Sequence, residues 1–307
     1  MKVACLLIAA SIAAPCSAGL TVLGFTVSRG GEYSLQDGTV MANLRSAIVT
    51  SFPGAAFHSV ETLTASDLSA SRVVFLMATT SGHSAISPLT EAEGQLLVAS
   101  VLAGRGAVIF TDNSSFAGSA SDPANSSLLN PFGIDSTGTG SGWPQSVTVI
   151  TPESSQVTSG RFGLVPEFFV GWSGWFYELG GATTLATLNE NNQPALAVIP
   201  RGALGPGSGA VVLFADCSMV GGEQPENYAV MLNAIDYAAN LPCTGDLNAD
   251  GFVDDSDFTI FVTAYNILDC ADPTMPSGCA SDFNSDGLVD DADFVIFVPA
   301  YNALLCS

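Results

Sequence analysis

A chain of 307 residues with 29 acidic and 7 basic side chains carries a formal charge of −22 at pH 7, and its only lysine is Lys2. That excess of negative charge repels phosphate backbones and argues against a nucleic-acid partner. Beyond the first eighteen residues no stretch approaches the roughly 18 uninterrupted apolar residues of a membrane span, so no transmembrane segment is expected.

Lys2 is followed by an apolar run from Val3 to Ala14 and by the small residues Cys16-Ser17-Ala18. Residues 1–18 therefore read as a secretory signal peptide, with a mature chain starting near Gly19 and a secreted, extracellular or cell-surface location. Residues 19–241 alternate strand and helix signals. Apolar runs at 20–27, 72–78, 106–111 and 209–215 are rich in Val, Ile and Phe and suit buried parallel strands. Between them, Val40, Leu44, Ala47 and Ile48 share a helical face, and Thr90 with Glu93 writes a capping box for a helix ending at Gly104. Val230, Met231, Ala234, Ile235 and Ala238 stripe a last helix. The alternation predicts an α/β fold with a doubly wound, flavodoxin-like sheet.

Ligands in such sheets bind outside the carboxyl ends of the strands. There the chain places Ser28 and Arg29, then Thr79, Thr80, Ser81 and His83, then Asp112, Asn113 and Ser114, then Asp216, Cys217 and Ser218. Cys217 is the odd thiol of the mature chain. Just after a strand it is a weak candidate nucleophile, with His83 as base and Asp112 nearby, against the common fate of a free cysteine as an inert buried side chain. His58, in AAFHSV, belongs to a strand. Trp143, Trp172 and Trp175 gather with Phe168, Phe169, Phe176 and Tyr177. Such a stretch serves either as a stacking platform for carbohydrate or as a core edge or subunit contact.

The C-terminal part, residues 242–307, writes one twelve-residue loop twice, DLNADGFVDDSD at 246–257 and DFNSDGLVDDAD at 282–293. Oxygen donors at positions 1, 3, 5, 9 and 12, a main-chain carbonyl at 7 and Gly at 6 are the spacing that wraps a hard cation. The expected ligands of two Ca2+ ions are Asp246, Asn248, Asp250, Phe252 (carbonyl), Asp254 and Asp257, then Asp282, Asn284, Asp286, Leu288 (carbonyl), Asp290 and Asp293. A helical face follows each loop: Phe258, Phe261, Val262 and Tyr265, then Phe294, Phe297, Val298 and Tyr301. Cys243, Cys270, Cys279 and Cys306 repeat with the loops. Four cysteines allow three connectivities. A three-turn helix, on the order of 15 Å long, separates the two of each repeat, which favours Cys243 with Cys306 and Cys270 with Cys279.

Two loop-helix units with Asp at position 12 and no helix ahead of each loop resemble a dockerin, an EF-hand-like module. The resemblance implies docking on a cohesin-like partner or another cell-surface component. Positions 10 and 11 are Asp255-Ser256 and Asp291-Ala292, where cohesin-binding members often carry Ser-Thr.

A second resemblance rests on RVVFLMATTSGH, LTEAEGQLLVASVLAGRGAVIFTDNSS and GAVVLFADCSMVGG. These are similar to the class I glutamine amidotransferase-like fold, in particular its trehalose-utilisation-type branch. Catalytic members of that family carry a Cys after the strand that here reads AVIFT, where this chain has Asp112-Asn113-Ser114. The resemblance thus implies a domain without the family's thiol chemistry. The expected protein is a secreted calcium-binding protein whose dockerin-like module tethers a non-catalytic α/β domain. The alternatives are an extracellular hydrolase or carbohydrate-active enzyme delivered to a polysaccharide by its dockerin, and a structural cell-surface protein.

Overall fold

Every residue of Val73–Met77 and Gly106–Phe110 is apolar, and a strand of that kind is stable only when both its faces are covered. In the computed structural model of this protein, which describes residues 19–136, 145–149, 155–221, 224–239, 245–248, 253–284 and 286–303, both strands are fully buried inside a nine-stranded sheet. The signal segment, Trp143, Cys243 and Cys306 lie outside the described residues.

The strands are β1 (Thr21–Phe25), β2 (Ala56–Val60), β3 (Val73–Met77), β4 (Gly106–Phe110), β5 (Asp135–Ser136), β6 (Gln145–Val149), β7 (Ser159–Gly160), β8 (Gly163–Leu164), β9 (Glu167–Val170), β10 (Phe176–Glu178), β11 (Thr183–Leu188), β12 (Pro194–Ile199) and β13 (Val211–Phe214). The large sheet runs β2-β1-β3-β4-β13-β12-β11-β6-β9, while β5 pairs with β10 and β7 with β8. From β2 to β13 neighbouring strands are parallel, in the flavodoxin-like order. From β13 to β9 every pairing is antiparallel. The expected doubly wound sheet is therefore one half of a mixed sheet. Its other half is antiparallel: β12 pairs with its chain neighbours β11 and β13, while β11 also pairs with β6 and β6 with β9, strands more distant in the chain.

The helices are α1 (Val27–Gly30), α2 (Ala42–Ser51), α3 (Ala65–Ala70), α4 (Glu91–Leu102), α5 (Ser121–Leu129), α6 (Pro225–Ala239), α7 (Asp255–Ile267) and α8 (Asp291–Ala303). The two-residue period of the strands divides the core. Val73, Phe75, Met77, Val108 and Phe110 meet α2 and α6 on one side, and Val74, Leu76, Ala107 and Ile109 meet α3, α4 and α5 on the other. Phe110 stacks on Phe214 with ring centroids 4.5 Å apart, and each such fully buried ring contributes about 1.5–3 kcal/mol. The capping box of α4 is formed: Glu93 N donates to Thr90 Oγ1 at 3.2 Å and Thr90 N to Glu93 Oε2 at 2.9 Å. Val27 leaves the first predicted strand to open α1.

A third apolar cluster joins α7 to α8 through Val253, Phe261, Ala264, Val289 and Phe297, and a disulfide links Cys270 to Cys279. Among the described residues no helix is long and apolar enough to cross a membrane.

Candidate functional site

Parallel pairing sets the first site. Met77 lies opposite Phe110, and Phe110 opposite Phe214. The second residues beyond these three, Thr79, Asp112 and Asp216, therefore stand side by side at the carboxyl ends of β3, β4 and β13. Thr79 Oγ1 donates to Asp112 Oδ2 at 2.9 Å, and Cys217 Sγ donates to that same oxygen at 3.2 Å and lies 3.2 Å from Thr79 Oγ1. The other oxygen of Asp112 accepts from Asn113 N at 2.7 Å and Asn113 Nδ2 at 2.9 Å.

The cluster is sealed. Tyr33, Thr79, Asp112, Asn113, Asp216 and Cys217 are all buried. Burial raises the Asp112 carboxyl, and burial together with the neighbouring Asp112 raises Asp216 further. Among the described residues Asp216 Oδ2 is buried with no hydrogen-bond partner, a position that a protonated acid occupies at far lower cost than a carboxylate. Burial, then Asp112 and Asp216, push the Cys217 thiol well up, and burial does the same to Tyr33 beside it. This is the reverse of nucleophile activation, which needs a nearby cation or base. Among the described residues the thiol's side-chain partners are Thr79, Asp112 and Tyr33, while His83 stands exposed in a left-handed conformation with φ 58°. The suggested Cys217–His83 pair is not formed.

Arg29 is a clamp rather than a ligand group. It pairs with Glu93 at 2.6 Å, donates to the carbonyls of Glu61, Ser87 and Pro88, and lies 4.0 Å over the Phe25 ring. His58 sits on the edge strand β2, 3.1 Å from Asp67.

The aromatic stretch is pinned to the strand ends. Asn113 Nδ2 donates to the Trp172 carbonyl at 2.9 Å and Gly171 N to Ser218 Oγ at 2.8 Å. Phe168, Val170 and Phe176 enter the core and Trp175 packs against it, whereas Trp172 is 59 % exposed. Sequence reasoning named these residues without linking them, because only the fold brings Asn113 to Trp172.

The second site is the pair of acidic loops. In 282–293, Asp282 Oδ1 accepts from Asp286 N at 3.2 Å and Oδ2 from Gly287 N at 2.9 Å; Asn284 Oδ1 accepts from Asp286 N at 2.9 Å, and Asp286 Oδ1 from Leu288 N at 3.0 Å. Gly287 makes the turn at φ 90°. Asp293 closes the loop fully buried, accepting from Phe283 N at 2.7 Å, Asn284 N at 3.1 Å and Asp290 N at 3.0 Å. Asp257 repeats this on Leu247 N at 2.7 Å, Asn248 N at 3.0 Å and Asp254 N at 3.0 Å, although Asp250 and Phe252 lie outside the described residues. The sequence from 243 to 307 contains no Lys, Arg or His to balance these carboxylates. Cys270, Cys279 and Asp282 also lie close together, but both sulfurs are consumed by the disulfide and offer no thiolate to a metal.

No protein-family model matches this chain, and no curated protein does. Among solved structures it is similar to the mmIFT52 N-terminal domain, with 16 % identity, a TM-score of 0.51 and coverage of 74 % of this chain and 99 % of that one. A cold-adapted β-galactosidase from Rahnella sp. R3 gives 14 % identity and a TM-score of 0.48 over 74 % of this chain and 32 % of the enzyme. A ThuA-like protein from Bacteroides uniformis gives 13 % identity and 0.47 over 72 % of this chain and 91 % of that one. At these identities the likeness concerns the fold alone.

Proposed function

We propose that the chain is an exported calcium-binding protein whose C-terminal repeats hold two calcium ions and dock on a partner protein, with the α/β domain as the carried unit. The supporting observation is the chemistry of the donor set. Asp282, Asn284, Asp286, Asp290 and Asp293 offer only oxygen, at the spacing of a calcium loop, in a segment without cationic side chains. A bound divalent ion supplies the positive charge that this segment otherwise lacks. The main-chain N–H groups that hold Asp282 and Asp293 leave further lone pairs of each carboxylate free to ligate. Docking through the repeats is carried over from the dockerin resemblance. The sealed surroundings of Cys217, where burial and the neighbouring Asp112 and Asp216 push the thiol well up, speak against a thiol mechanism in the α/β domain.

Calorimetric titration of the full mature chain tests the reading. Two calcium ions should bind, with Asp257→Ala and Asp293→Ala each removing one. No uptake by the parent chain would end the proposal. Capture on an immobilised cohesin module should require calcium, and absence of capture by the loaded chain would remove the docking part.

A second reading, a carbohydrate-contacting α/β domain, is favoured by one feature: Trp172 is exposed although its backbone is pinned at the strand ends. Quenching of tryptophan fluorescence by a soluble polysaccharide, abolished in Trp172→Ala, would support it. Identical spectra with and without the polysaccharide would dismiss it.

A further inference from the structure

Tyr265 of α7 donates its phenolic hydrogen to Asp291 Oδ1 at 2.6 Å, and Tyr301 of α8 donates to Asp255 Oδ1 at 2.5 Å. The two tyrosines occupy equivalent positions of the repeat, and so do the two aspartates. Each bond therefore joins the far end of one helix to the first turn of the other. Asp291 lies two residues before Asp293, and Asp255 two before Asp257, the buried residues that close the two loops. The turn that presents each closing carboxylate is thus held by the helix following the other loop.

Several contacts run along the same route. Val289 N donates to the Leu268 carbonyl at 2.8 Å and Cys270 N to the Gly287 carbonyl at 3.1 Å, tying the end of α7 to the second loop. The Tyr301 ring lies 5.6 Å from Phe258 and 5.7 Å from Phe297, and Tyr265 lies 6.0 Å from Phe261. Reciprocity matters mechanically. A rotation or slide of either helix that disturbs its own loop also strains a hydrogen bond onto the other.

We infer that Tyr265 and Tyr301 are positioning residues that couple the two loops, so that an ion in one loop raises the affinity of the other; this rests on the calcium reading above. Without ions, carboxylates crowded in each loop repel one another and oppose the ordered turn. The first ion orders its own loop and, through the tyrosine bonds, the first turn of the other helix, so the second ion meets a site already partly assembled.

Stepwise calcium binding to the full mature chain, measured by calorimetry, tests this. The second ion should bind about 5-fold or more tighter than independent sites allow. In Tyr265→Phe/Tyr301→Phe, which keeps the rings and loses only the hydroxyls, both ions should still bind with that excess gone. Asp255→Ala/Asp291→Ala removes the same two bonds from the acceptor side and should lose the excess equally. Two ions bound independently by the parent chain, or an excess retained in both double variants, would overturn the coupling and leave the calcium reading standing. A parent chain that takes up no calcium would overturn both.

Discussion

Cys217 donates its thiol hydrogen to Oδ2 of Asp112 across 3.2 Å, so the free thiol of the described chain is bound to a buried acid. The contact holds the sulfur in its protonated form and places it where reagents do not reach. Alkylation of the native protein at neutral pH should leave Cys217 unmodified, with complete labelling after unfolding. Rapid native labelling would show an accessible thiolate. Cys217→Ala removes a donor to Asp112 and should cost about 1–2 kcal/mol in chemical denaturation.

Asp236, on α6, is raised by burial to about 6, against an opposing pull from Arg161. Between its ordinary value of 3.8 and about 6 the folded state binds more protons than the unfolded one, so stability falls as pH rises through that window. Asp112 and Asp216 act in the same direction. Asp236→Asn should flatten its share of the slope and add about 1–3 kcal/mol above pH 7. Denaturation series at several pH values measure this, and an unchanged slope would refute it.

Glu93 has the opposite sign. Burial pushes it up, but Arg29 and the N–H groups of Thr90 and Leu63 outweigh that and hold it at about 2. Its stabilisation is present above the ordinary value of 4.5 and is lost as pH falls towards 2. Glu93→Gln leaves the Arg29 guanidinium buried and uncompensated, with an expected loss of about 3 kcal/mol at neutral pH. The variant should also lose less of its remaining stability on acidification than the parent does.

Cys270 and Cys279 close a short loop between α7 and α8. Replacing both by Ser should lower the stability of that region by about 2–3 kcal/mol. Hydrogen exchange of α7 and α8 amides would report it, with α6 amides unchanged.

Much of the fold could be read from local pattern. Val73–Met77, Gly106–Phe110 and Val211–Phe214 announce themselves as unbroken apolar strands, and Thr90 with Glu93 sets the start of α4 within a single turn. The antiparallel pairing of β11 and β12 has no counterpart in the local pattern: TTLATL and PALAVI are short and carry no mark of their pairing direction. That direction depends on residues distant in the chain.

The sequence by itself determined the alternation of strand and helix, the spacing of oxygen donors in the repeated loops and the absence of a thiol after AVIFT, because each is a local property of side chains along the backbone. Tertiary structure alone decided that Thr79, Asp112 and Asp216 share one level and that Asn113 holds Trp172. It also decided that Arg29 is spent on Glu93 and that Tyr265 and Tyr301 reach across to Asp291 and Asp255. Strand register and helix packing bring together groups tens of residues apart, and burial then raises the carboxyls of Asp112 and Asp216. No local signal encodes either effect.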